Sequence, residues 1–145
     1  MTTSSLYERD FHAWANEQAA LLRQGKLNTA DIEHIAEEIE SMGRAERREL
    51  VNRLTILLLH LLKWRFQPGR RGASWETTIA VQRDDLRDHL RDNPSLKSTS
   101  GEALTDAYRK AAILATGETG FPKSTFPVEC PWSLEQGLDD AFWPE

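Results

Sequence analysis

Asp31, His34 and Glu38 follow one another at steps of three and four. On a helix that spacing sets two carboxylates and an imidazole along one flank. Helical bundles hold metal ions with such groups, through a Glu-x-x-His pair repeated on two helices and further Glu residues from the others. Here there is one Asp-x-x-His and no second copy. Glu8 with His12 and Asp85 with His89 add two acid and His pairs at four-residue spacing. Three His-bearing helices meeting on one divalent transition metal would leave a coordination position open to water, as catalytic zinc sites do. The simpler reading, and the favoured one, is that each acid supports its own helix by a hydrogen bond or a cap.

Two further residues carry reactive groups. His60, in ILLLHLLKW, has no acid within a turn of its own helix to orient it. A general base needs that partner, so His60 reads as a core histidine bonded to a neighbouring helix. Cys130 stands beside Glu129, and a neighbouring negative charge raises a thiol pKa, against its use as a nucleophile.

The charge is distributed in blocks. Residues 1–43 hold 3 bases and 8 acids, residues 44–91 hold 11 and 6, and residues 92–145 hold 4 and 9. In the basic middle, Arg44, Arg47, Arg48, Lys63, Arg65, Arg70 and Arg71 are interleaved with Trp64, Phe66 and Trp75, a mixture of cations and stacking rings that single-strand nucleic-acid binders use. A pI near 5.4 is far from the basic balance of such a domain. The expectation is therefore that the basic helix pairs with acidic neighbours inside one molecule. Arg70, Arg71 and the start of the helix after Ser74 also offer a place for an anion, although a solvated turn is the favoured reading of them.

The elements that must position these residues are helical. Leu and Ala number 33 and Val and Ile only 9, a bias toward helix over strand. Apolar periodicity and caps predict helices over about 6–24, 29–42, 44–66, 75–92 and 101–116, followed by a tail over 118–145. The expected stops and starts are a Ser5/Glu8 capping box, Gly25, a Leu27/Ile32 hydrophobic staple, Gly43, Pro68-Gly69, Ser74, Asn93-Pro94, Ser100, Gly117 and a Ser133/Gln136 capping box. Trp14, Trp64 and Trp75 fall on apolar stripes, and Trp132 and Trp143 are placed to pin the Pro-rich tail to the body. The expected fold is all-α: one domain, a bundle of about five helices with the tail packed on it.

At 145 residues the chain is one domain's length. A single Cys excludes an internal disulfide. The start, MTTSSLYERDFHAWA, has no secretory pattern, and the longest apolar stretch, 55–62, is far short of a membrane span. A soluble cytoplasmic protein with no membrane partner is the expectation.

Six strings in order carry a resemblance: YERDFHAWANEQAALLRQGK, LNTADIEHIAEEIESMG, LLLHLLKW followed by QP, the SW of Ser74-Trp75, NPSL and FPVECPWSLEQ. Together they resemble the bacterial domain-of-unknown-function family twenty-nine, from Tyr7 to Pro144. The resemblance implies a compact, wholly helical domain, and it implies no reaction and no site residue. The leading expectation is a non-enzymatic module that binds a protein partner or itself. The alternatives are a metal-dependent bundle enzyme, using Asp31, His34 and Glu38 with His12, His60 or His89, and nucleic-acid binding through the Arg44–Arg71 region.

Overall fold

The structure, a computed structural model, describes the backbone from Thr3 and side chains from Leu6 onward. Among the described residues every regular element is an α-helix or a short 3-10 turn: α1 (Thr3–Arg9), α2 (Phe11–Arg23), α3 (Ile32–Phe66), α4 (Ala73–Asp92), α5 (Ser100–Thr119) and α6 (Leu134–Leu138). The fold is all-α. The chain divides into two compact units, residues 1–45 and 46–145.

In the first unit the helix expected over 6–24 is two helices. Asp10 leaves the helical conformation (φ −148°, ψ 85°) and its carboxylate accepts from the Ala13 N–H at 3.0 Å. A capping Asp stabilises a new start enough to interrupt a continuous apolar pattern. Ser5, expected to cap the first helix, lies inside α1, which already begins at Thr3. Gly25 lies in the left-handed region, at φ +72°, just past the end of α2. Helix α3 begins at Ile32, three residues after the expected start, because Asp31 takes the cap position and accepts from the His34 N–H.

Gly43 does not end that helix, which runs for 35 residues. A lone Gly inside a helix costs about 1 kcal/mol relative to Ala, and the Leu-rich segment that follows more than offsets it. Leu50, Leu54, Leu57, Leu58, Leu61 and Leu62 are at most 1% exposed. They form the core of the second unit with Ile79 and Leu86 of α4 and four alanines of α5, Ala103, Ala107, Ala111 and Ala115. Such small side chains let a helix approach its neighbours closely.

Helix α4 is capped by Gly72 rather than Ser74, and α5 starts at Ser100 itself. Gly117 stays helical, and the stop comes at Gly120, in the left-handed region at φ +76°. A Cβ at either glycine meets nothing within 4 Å, so backbone conformation alone decides the outcome. Gly117→Ala is expected to stabilise by about 0.5–1 kcal/mol, and Gly120→Ala to destabilise by about 1 kcal/mol. Urea unfolding midpoints moving in opposite directions would verify the pair.

Within the second unit, residues beyond α5 make named contacts with its helices. Phe126 and Trp132 are buried. The Tyr108 hydroxyl donates to the Pro127 carbonyl at 2.7 Å. The Arg83 guanidinium, 1% exposed, donates to the carbonyls of Gly137 and Phe142, each at 2.7 Å. Arg87 donates to the Leu138 carbonyl and grips both carboxylate oxygens of Asp140. Ser133 and Gln136 form the capping box that starts α6. No described helix is long and apolar enough to cross a membrane.

Candidate functional site

In the first unit, Asp31 and His34 meet as their spacing requires, with His34 Nδ1 2.7 Å from Asp31 Oδ2. Around them stand groups from α1 and α2. Trp14 Nε1–H donates to Asp31 Oδ2 at 3.1 Å, and the Asp31 backbone N–H donates to Gln18 Oε1 at 2.7 Å. The Tyr7 ring stacks on His34 with centroids 4.1 Å apart. The Tyr7 hydroxyl donates to Glu38. Burial works to raise the Asp31 carboxyl, and the hydrogen bonds from His34 and Trp14 outweigh it, holding the group below its ordinary value. The bond to Glu38 pushes the Tyr7 phenol up to about 12. Glu38 thus points its charge at Tyr7, while Asp31 ties α2 to the start of α3. This arrangement locks three helices of the first unit together through polar and aromatic contacts.

The other histidines are dispersed. His12 is exposed and its Nε2 lies 3.2 Å from Asn16 Nδ2, with no pairing to Glu8 among the described contacts. His60 Nδ1 lies 2.8 Å from the carbonyl of Ile56, one turn back on its own helix rather than on a neighbour. Burial lowers its pKa. The ring reaches back along α3 because a side chain four residues on lies directly over that carbonyl. His89 passes over Asp85, which is held by Arg53 at 2.9 Å, and instead meets Glu46 and Glu49 of α3. Its Nδ1 is 2.8 Å from Glu49 Oε2 and 3.7 Å from Glu46 Oε2, and its Nε2 is 2.8 Å from the Glu46 carbonyl.

Among the described residues, three ligand-type side chains converge within 4.8 Å in two places, Glu46/Glu49/His89 and Asp84/Asp85/Asp88. Neither contains a second histidine. Asp31, His34 and Glu38 do not form such a group, since Glu38 turns to Tyr7. Glu46 and Glu49 are three apart on α3, a spacing visible in the sequence, but nothing local announces that His89 of α4 lies opposite them.

The basic segment is largely neutralised within the chain. Arg44 reaches Glu40 at 4.0 Å, Arg47 meets Asp106 at 3.1 Å and Lys63 meets Glu118 at 3.0 Å while lying over the Trp75 ring. Arg71 lies over Trp64 and donates to the carbonyls of Trp64 and Pro144, and Arg65 lies over Phe66. Trp64 packs on Trp143, with ring centroids 4.5 Å apart. Arg48 and Arg70 have no ion pair among the described contacts, and Arg70 and Gly69 belong to an exposed turn before α4. Rings and cations that would stack on bases are thus occupied by one another.

A cleft of about 990 Å³ opens beside α5, walled by Tyr108, Phe126, Cys130 and Trp132. The Tyr108 hydroxyl is engaged by Pro127, and the Cys130 thiol donates to the Trp132 carbonyl at 3.3 Å. Burial, rather than the neighbouring Glu129, pushes the Cys130 thiol up, so it is a packing group and not a poised nucleophile.

No curated protein matches the chain, and no solved structure does. A family does match, over residues 6–143, and it is described as domain of unknown function DUF29. With nearly its whole length covered, the chain belongs to that family.

Proposed function

We propose that the chain is a protein-interaction module that pairs with a second copy of itself through the first half of α3. One observation carries this reading: the apolar stripe of α3, buried from Leu50 onward, is bare before it. Ile32 is 50% exposed, Ile39 63% and Met42 67%. With Ile35 they recur at steps of three, four and three, the seam that packs against another helix. The first unit buries one large apolar side chain, Trp14, among its described residues, and it also exposes Phe11, Leu22 and Leu27. Apolar surface gathered in this way marks an interaction site.

The occupant follows from charge. One edge of the seam is lined by Trp14, Tyr7 and their partners at Asp31, His34 and Glu38. The other edge carries Glu33 and Glu40 and, one turn past Glu40 and 4.0 Å from it, Arg44. An antiparallel pair of identical helices would set the acidic end of each beside the basic end of the other, and a two-fold interface of this kind is self-complementary. Ala36 and Gly43 lie on the same edge and would allow close approach.

Sedimentation equilibrium of the full chain tests this. A dimer whose population rises with concentration is expected. The exposed double change Ile39→Glu with Met42→Glu should leave a monomer with unaltered helical circular dichroism. Glu33→Lys with Glu40→Lys should weaken pairing by about tenfold or more, since like charges then face each other, and adding Arg44→Glu should restore it. A chain that stays monomeric at every concentration, or a dimer indifferent to these changes, would sink the proposal.

A further inference from the structure

The two ring nitrogens of His89 face different chemistry. Nε2 lies 2.8 Å from the Glu46 backbone carbonyl. A carbonyl only accepts, so Nε2 carries the proton and donates. Nδ1 then faces Glu49 Oε2 at 2.8 Å and Glu46 Oε2 at 3.7 Å. Carboxylates also only accept, so two negative groups surround a lone pair unless a second proton or a cation stands between them. The ring is 7% exposed and cannot turn to water for relief.

We infer that Glu46, Glu49 and His89 form a binding site for a divalent first-row transition cation such as zinc. The three donor atoms already lie within 4.8 Å of one another. An imidazole whose second nitrogen donates to a backbone carbonyl has the outer-shell support that metal-ligating histidines need. Glu49 has similar support: Arg53 Nη2 lies 3.4 Å from its Oε1, and Arg53 is itself tied to Asp85 at 2.9 Å. This leaves Glu49 Oε2 directed at Nδ1. The side chains of Glu46 and Glu49 are 49% and 44% exposed, so an ion has a path in and the carboxylates have room to close on it. Two carboxylates and a neutral imidazole match a double positive charge, and the mixed oxygen and nitrogen set favours zinc or manganese over magnesium. Three protein ligands leave further coordination positions for water. The aspartates at 84, 85 and 88 offer no nitrogen and no buried ring held by a backbone carbonyl.

The experiment uses the full chain, stripped with a chelator and titrated with zinc chloride in a calorimeter, with magnesium chloride as the comparison. One equivalent of zinc is expected, with magnesium weaker by about 100-fold or more, and the thermal midpoint should rise with free zinc. Nitrogen NMR of the imidazole should show Nδ1 of His89 shifted by the metal while Nε2 keeps its proton. Glu46→Gln and Glu49→Gln should each weaken zinc by about tenfold or more. Both sit on the surface side of α3, so they remain informative even if His89→Gln fails to fold. Failure to bind one equivalent, binding unchanged in both glutamine variants, or zinc lost instead through His34→Ala would each overturn the site. None of these results depends on whether the chain dimerises.

Discussion

Arg83→Met is expected to lower the stability of the chain by about 2–4 kcal/mol, the larger share arising from two carbonyls left without a donor. Gly137 and Phe142 each receive a charge-assisted bond at 2.7 Å from this one guanidinium, and Arg83 also lies over the Trp143 ring. Methionine fills most of the volume and removes every donor. Part of the loss is returned, because a buried guanidinium is itself expensive to desolvate. Burial pulls its pKa below the ordinary value, with Asp140 and Asp139 opposing. Lysine keeps the charge but replaces a rigid fork by a point donor, so Arg83→Lys should recover roughly half of the difference, on the same per-bond scale. Urea unfolding followed by circular dichroism reads both variants. If Arg83→Met unfolds at the parent midpoint, the two carbonyls have found other donors and this account fails.

Trp14→Ala should have an effect of similar size confined to the first unit. Trp14 is 3% exposed, and its ring meets Tyr7 edge-on at 4.7 Å and Phe11 at 5.4 Å while its Nε1–H holds Asp31. Truncating a buried aromatic of this kind costs about 3–5 kcal/mol. In a unit with no other buried large apolar side chain among its described residues, that loss should open α1 and α2. Hydrogen exchange is the direct readout: amides of α2 lose protection, whereas those between Leu50 and Leu62 keep theirs. Protection retained in α2 would show that Trp14 is not what holds the unit.

Trp14→Phe separates packing from the hydrogen bond. The Asp31 carboxyl sits below its ordinary value when folded, so it stabilises the unit above the unfolded pKa, and that contribution is lost as pH falls through the folded one. Without the indole donor the folded pKa rises toward the unfolded one, so the contribution is smaller and urea midpoints measured across the acid range should fall less steeply, with the loss complete at a higher pH.

Helicity was legible in the residues because it rests on local pattern. The stripes of α3, α4 and α5, the Ser133/Gln136 box and the stop near Asn93-Pro94 all follow from spacing and cap chemistry. Where local pattern and structure differ, one local signal is overridden by a competing one. Gly43 was a stop only if the helix had nothing beyond it to gain, and Asp10 was an ordinary helical residue only if it did not cap. The pair at Asp31 and His34 was readable because three residues separate them. Tyr7 with Glu38, Trp14 with Asp31, and Glu46 and Glu49 with His89 were not, since each depends on which helix faces which and at what register. Arg83 was missed for another reason. It falls beside Ile79, Leu86 and Leu90, on a face whose burial is plain from the leucines, but a charged residue there reads as solvent-facing until the carbonyls that receive it are known.

Those carbonyls also set an order of events during synthesis. A nascent chain that has reached Gly120 possesses α3, α4 and α5 and the leucines and alanines of their shared core. At that stage Arg83 is a charged group in an apolar surface with nothing to receive it, because its acceptors lie 54 and 59 residues further on. Both carbonyls can receive the guanidinium only once residue 142 has been added, and until then water must solvate it.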